Sequence, residues 1–169
     1  MPAYVALLRA VNVGGNSLPM AALLAMCRSA GFAQVRTYIA SGNALFATPL
    51  EARKVKQTLE SRLAEHLGKP IDVHVRTAAE LAAVLSGNPF PHAPPSRTVA
   101  VILDEPPPAG ALATVRGRRR ETLALGTREI YVVYPDGIAA SKLVIPAART
   151  GTARNMNTVA GLAALAAAL

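Results

Sequence analysis

The chain opens with Tyr4-Val5-Ala6-Leu7-Leu8-Arg9-Ala10-Val11-Asn12-Val13-Gly14-Gly15-Asn16. Residues 4–11 form an apolar run with β-branched members, which predicts a buried strand. The strand runs into a basic residue, an amide and a glycine pair. A helix then follows, with Ser17 as its cap and Pro19 in its first turn, through Leu23, Leu24 and Met26 to a stop near Gly31. Residues 35–39 predict a second strand, Ser41-Gly42-Asn43 a turn, and residues 44–47 a third strand, giving a hairpin. Residues 51–67 place Val55, Leu59, Leu63 and Leu67 at a spacing of four, which is helical, and Gly68 ends that helix. Residues 71–75 alternate as a fourth strand. Strand, helix, strand, strand, helix, strand is the split βαβ unit of ferredoxin-like folds. Right-handed crossovers place the third strand between the first and second. The end of strand one and the hairpin tip then share a rim, with Asn12, Gly14 and Gly15 beside Ser41 and Asn43.

The remainder echoes this order. Thr77 with Glu80 three residues on predicts a capped connecting helix over 77–85. Asn88-Pro89-Phe90-Pro91-His92-Ala93-Pro94-Pro95 reads as a stiff, extended linker. A strand over 99–103, a helix over 109–116 and a hairpin over 122–134 around Gly126 follow, closed by Pro135-Asp136-Gly137. The fold class is therefore α+β: two ferredoxin-like (βαββαβ-type) halves joined by a Pro-rich linker. Residues 1–86 form the N-terminal half, and residues 97–169 a C-terminal α+β half with a terminal helix. In that helix Leu162, Leu165 and Leu169 are expected to pack on the core, with a dimer contact left open.

Of 169 residues, 51% are hydrophobic and 17% charged, so the chain can bury a core and is not a disordered polymer. No apolar run reaches the roughly 20 residues of a membrane span. Arg9 interrupts any signal-like start. These readings lead to the expectation of a soluble, cytoplasmic protein without membrane partners. The single cysteine, Cys27, excludes an internal disulfide, fits a reducing compartment and reads as a small buried hydrophobe. The net charge of +8 loosely favours acidic or phosphate-bearing partners. It is uncompensated at both ends: residues 1–50 hold Arg9, Arg28 and Arg36 without an acid, and residues 137–169 hold Lys142, Arg149 and Arg154 without one.

Glycines let a backbone approach a ligand, helix starts attract anions, and Arg9 offers a planar fork for phosphate or carboxylate. Strand alternation separates Arg9 from Asn12, so the two converge only if the strand ends or bulges near Val11. The spacing is not that of a phosphate loop or a dinucleotide fingerprint. Ser41-Gly42-Asn43 serves either as a plain turn or as a wall of the same site. Arg154, Asn155 and Asn157 cluster at the expected start of the last helix, where Thr152 or Asn155 can cap. Ser141-Lys142 is a poor nucleophile–base pair, because neighbours in sequence rarely meet side chain to side chain. Lys142 reads instead as a further cation. The candidate ligand set is therefore Arg9, Asn12, Gly14, Gly15, Ser41, Asn43, Lys142, Arg154 and Asn157. The run Arg116-Gly117-Arg118-Arg119-Arg120 reads as a solvated loop, or as a contact for nucleic-acid phosphates. With 4% aromatics and no tryptophan, a base-stacking sheet is not indicated. His66, His74 and His92 lie at no metal-ligand spacing, and no carboxylate pair suggests acid–base work.

Five blocks resemble a known family: Leu8-Arg9-Ala10-Val11-Asn12-Val13-Gly14-Gly15, Tyr38-Ile39-Ala40-Ser41-Gly42-Asn43, Asn88-Pro89-Phe90, Tyr134-Pro135-Asp136-Gly137 with Ser141-Lys142, and Thr152-Ala153-Arg154-Asn155-Met156-Asn157-Thr158-Val159. Their order and content are similar to DUF1697, a bacterial domain of unknown function. The resemblance implies two ferredoxin-like halves and carries over no activity and no cofactor. The chain departs from that pattern at Ala10, where glycine is usual, at Ala40, where glutamine is usual, and at Met156, where tryptophan is usual. Its segment between Lys142 and Thr152 is also short. The leading functional reading is a binding module for a small anionic ligand, a nucleotide or phosphate-bearing metabolite. The alternatives are a nucleic-acid-binding protein and an enzyme of unrecognised class.

Overall fold

In the computed structural model, which describes residues 1–11, 17–39 and 41–169, the opening apolar run forms β1 (Ala3–Leu8). The strand ends where the backbone turns. Arg9 N still donates to Asp72 O (2.9 Å), and Ala10 then takes a left-handed φ of 57°. That conformation suits glycine, which gives a physical reason for the family's usual residue there. There follow α1 (Met20–Ser29), β2 (Ala33–Thr37), β3 (Asn43–Ala47), α2 (Ala52–Leu67) and β4 (Val73–Thr77). The sheet order is β2-β3-β1-β4, every pair antiparallel. The third strand thus lies between the first and second. Tyr4, Ala6, Leu8, Phe46, Val73 and Val75 form one face of this sheet, and they share a core with Leu23 and Cys27 of α1 and Val55, Leu59 and Leu63 of α2. Phe32 stacks on Phe46 at 4.3 Å between ring centroids.

Ser17 does not cap α1. Pro19 is the last residue before the helix, with no side-chain cap, and its ring presets φ at −60° for entry. The fourth strand lies two residues later than its alternation suggests. It continues until the reciprocal bonds Thr77 N to Glu80 Oε1 (2.8 Å) and Glu80 N to Thr77 Oγ1 (3.1 Å) start α3 (Ala78–Ser86).

The chain divides into two compact units, 1–81 with 162–169, and 82–161. The second unit holds β5 (Thr98–Ile102), β6 (Thr122–Leu125), β7 (Glu129–Val133) and β8 (Thr152–Asn155) in the antiparallel order β6-β7-β5-β8. The two sheets therefore repeat one strand order. Where the first unit has α1 and α2, the second has 3-10 turns at Ala111–Thr114, Ile138–Ala140 and Pro146–Ala148. The helix expected over 109–116 is absent. Gly110 and Gly117 bracket a segment too short to offset the cost of helix nucleation. Of the two caps the sequence offered for the last helix, Thr152 lies instead at the start of strand β8, which also takes in Arg154. Asn155 Oδ1 accepts the Thr158 amide (3.0 Å), so α4 (Met156–Ala167) begins only after it. In α4 Leu162 is buried and Leu165 half-buried.

The described residues thus form an α+β protein of two four-stranded antiparallel sheets and four α-helices. Among them no helix is long and apolar enough to cross a membrane.

Two glycine-related changes test the rim. Gly42 has φ +84°, and a Cβ on it would collide with Val11 Cγ2. Gly42→Ala should lower stability by about 2 kcal/mol. Ala10→Gly should raise it by up to about 1 kcal/mol, because it relieves the left-handed alanine. Urea midpoints at unchanged m-value measure both.

Candidate functional site

The basic run 116–120 is tied along its length to the segment that follows β7. Arg116 N donates to Val144 O (2.9 Å) and Val144 N to Arg116 O (2.8 Å). Gly117 has φ +71° and lies against the Lys142 carbonyl, which leaves no room for a Cβ. Glu121 accepts the Ser141 hydroxyl at Oε2 and the Arg119 amide at Oε1 (2.7 Å). Arg118 Nε donates to the Glu121 carbonyl (2.8 Å). Ser141 Oγ in turn accepts the Leu143 amide (3.1 Å). Arg120 pairs with Asp136 (2.7 Å). The run is therefore an ordered ledge with exposed side chains.

The ledge and the turn after β7 enclose a hollow of about 190 Å³, lined by Arg119, Glu121, Tyr134, Asp136, Gly137, Ser141 and Lys142 with Pro135 and Ala140. Gly137, at φ +87°, donates its amide to Tyr134 O (3.0 Å) and closes the turn. Both acids of the hollow are engaged. The Ser141 hydroxyl, and then the Arg119 amide, hold the Glu121 carboxyl below its ordinary range, while Asp136 faces Arg120. Arg119 and Lys142 are exposed, and among the described residues neither has a carboxylate partner. Burial, and then Glu121, push the Tyr134 phenol up, so the ring stays neutral. Such a hollow suits one phosphate or carboxylate group between two cations. It is poorly suited to nucleophilic catalysis, because the carboxylate beside Ser141 is a weakened base.

The sequence-derived candidates fall in both units. In the first, Arg9 is half-buried, with Nη1 3.9 Å from Asp72 Oδ2. Asn43 is fully buried and donates Nδ2 to Tyr38 O (2.9 Å) and to Ser41 Oγ (3.1 Å), so its amide closes the hairpin turn. Leu8 N donates to Gly42 O (2.8 Å), and Val11 packs on Gly42, which joins the end of β1 to the hairpin tip. Asn12, Gly14 and Gly15 lie outside the described residues. In the second unit Arg154 is buried, with its guanidinium donating to Thr152 Oγ1 (2.6 Å) and Ala153 O (3.0 Å). Burial brings its pKa down to about 10. Asn157 is exposed in the first turn of α4. Of these residues, Lys142 is the one that lines the hollow described above. Arg119, Glu121, Tyr134 and Asp136 were not in the candidate set. The block Tyr134–Gly137 with Ser141-Lys142 was the available signal for part of them, whereas nothing local in the sequence pairs Glu121 with Ser141. Among the described residues no group of three or more His, Cys, Asp or Glu side chains could hold a metal ion.

A carboxyl whose folded-state pKa is depressed contributes stability above its unfolded pKa, near 4.3. That contribution fades as pH falls through the lower folded value. Glu121→Gln should therefore be less stable than the parent at pH 7. The difference should shrink below about pH 4, as measured by thermal unfolding across pH 2–7.

The family model described as a protein of unknown function, DUF1697, matches residues 1–131. No curated protein matches the chain. Among solved structures it is similar to the conserved bacterial protein SP0830 from Streptococcus pneumoniae, with 22% identity, 99% of each chain covered and a TM-score of 0.82. At that identity the likeness is one of fold. With most of its length matched by the family model, the chain belongs to the DUF1697 family.

Proposed function

We propose that the protein is a binding module for a small anionic ligand bearing a phosphate or carboxylate group, seated between Arg119 and Lys142. One observation carries this reading: both carboxylates of the hollow are engaged by neighbouring donors, so its two exposed cations are left to face solvent. The net charge of +8 supports it at long range. The corner at Arg9, with Asn12, Gly14, Gly15 and Ser41, is a second proposed anion locus within the first unit, and exposed Asn157 is a separate candidate contact in the second. We further infer that each unit is a variant of the ferredoxin-like plan, supported by the repeated strand order. A cytoplasmic setting agrees with a single, buried thiol.

A thermal-shift screen of inorganic phosphate, nucleotides, phosphorylated metabolites and short oligonucleotides tests the proposal. At ligand near 100 Kd the gain is about 2.7 kcal/mol, several degrees in Tm. Lys142→Ala and Arg119→Ala should each weaken the effect about tenfold or more, while Arg9→Ala reports on the N-terminal corner. Stabilisation by oligonucleotides alone, collapsing steeply with salt, would favour the nucleic-acid reading. No stabilisation by any compound removes the proposal.

A further inference from the structure

A second hollow of the 82–161 unit has a different chemistry. It measures about 450 Å³, opens broadly to solvent, and is lined by Val101, Leu143, Ile145, Pro146, Ala148 and Ala153, with Tyr134 at its side. Its origin lies in how the sheet is covered. In the first unit the connection from β3 to β4 contains α2, which lays Val55, Leu59 and Leu63 on the sheet. In the second unit the connection from β7 to β8 contains only two three-residue 3-10 turns. An extended segment therefore covers Val99, Val101 and Leu103 with Leu143, Ile145, Ala147 and Ala148. That segment fills less volume than a helix would, and the difference remains open beside Ala153.

The ionised side chains lining this hollow are Arg116 and Arg149, both exposed, and no carboxylate lines it. A ligand complementary to it needs an apolar body and one negative end. We propose that this hollow binds a free, straight-chain monocarboxylate of medium length, with its chain along the Leu143–Ile145 wall and its carboxylate toward Arg116. This site shares Tyr134 with the hollow between Arg119 and Lys142 but uses a different cation and an apolar wall, and does not depend on that hollow being occupied.

Calorimetric titration of the full chain with hexanoate, octanoate and decanoate, each below its micelle concentration, tests the proposal. One acid per chain should bind, and affinity should rise about three- to fourfold per added methylene. Decyltrimethylammonium, with the same chain and the opposite charge, should bind at least about tenfold more weakly. Ala153→Phe, at an exposed position on β8, should fill the hollow and abolish binding. Arg116→Gln keeps the backbone pairing with Val144 and should weaken decanoate about fivefold or more. This second variant keeps the test open if Ala153→Phe does not fold. Absence of saturable decanoate binding would overturn the proposal, as would equal affinity for the cationic amphiphile. So would decanoate affinity unchanged in every folded variant, or binding to anionic lipid vesicles without binding to the free acid.

Discussion

A sheet face covered by turns instead of a helix has a problem of backbone accounting. A helix satisfies its own amides and carbonyls, whereas a covering segment of turns must find partners elsewhere. In the second unit those partners come from the basic run. Arg116 and Val144 exchange both backbone bonds, Gly117 admits the Lys142 carbonyl, and Glu121 takes up the Ser141 hydroxyl and the Arg119 amide. Remove that stitching and the segment 141–148 keeps only its apolar contacts with the sheet and its own local turns. The cationic and the apolar hollow described above are by-products of the same solution.

Polar groups divide between fold and ligand according to burial. Asn43 and Arg154 are buried, and their donors are used inside the protein, on Tyr38, Ser41, Thr152 and Ala153. Leaving such groups unpaired would cost more than the bonds themselves contribute. The charges available to an incoming anion are accordingly those on exposed positions, Arg119 and Lys142 among them. Cys27 follows the same logic. Burial raises its thiol to about 12, outweighing the opposing pull of Arg62, so it behaves as core rather than as a nucleophile.

Elements with strong local signals were legible from residue types alone. The apolar run of β1, the four-residue spacing of α2, the Thr77–Glu80 capping box and the hairpin at Gly126 each carry their own period or cap. The errors arose where a distant partner decides conformation. Thr152 and Arg154 look like polar residues ahead of a helix, yet they pair with Ile102 and Ala100 as an edge strand. Residues 109–116 have helical composition, yet their 3-10 turn buries Ala111 alone. The candidate site shows the same divide. Lys142 could be named because lysine in a motif block is visible in one dimension, while Glu121 became part of a site only through a serine twenty positions away.

Composition, periodicity and caps determined an α+β chain with two successive strand sets, a net positive charge and a single inert thiol, because those properties depend on residue types and on neighbours within about one helical turn or one hairpin. Tertiary structure alone decided which cations face open space and which are consumed. That outcome depends on where carboxylates and hydroxyls from separate segments meet, and chain-distant contacts leave no local periodicity to read.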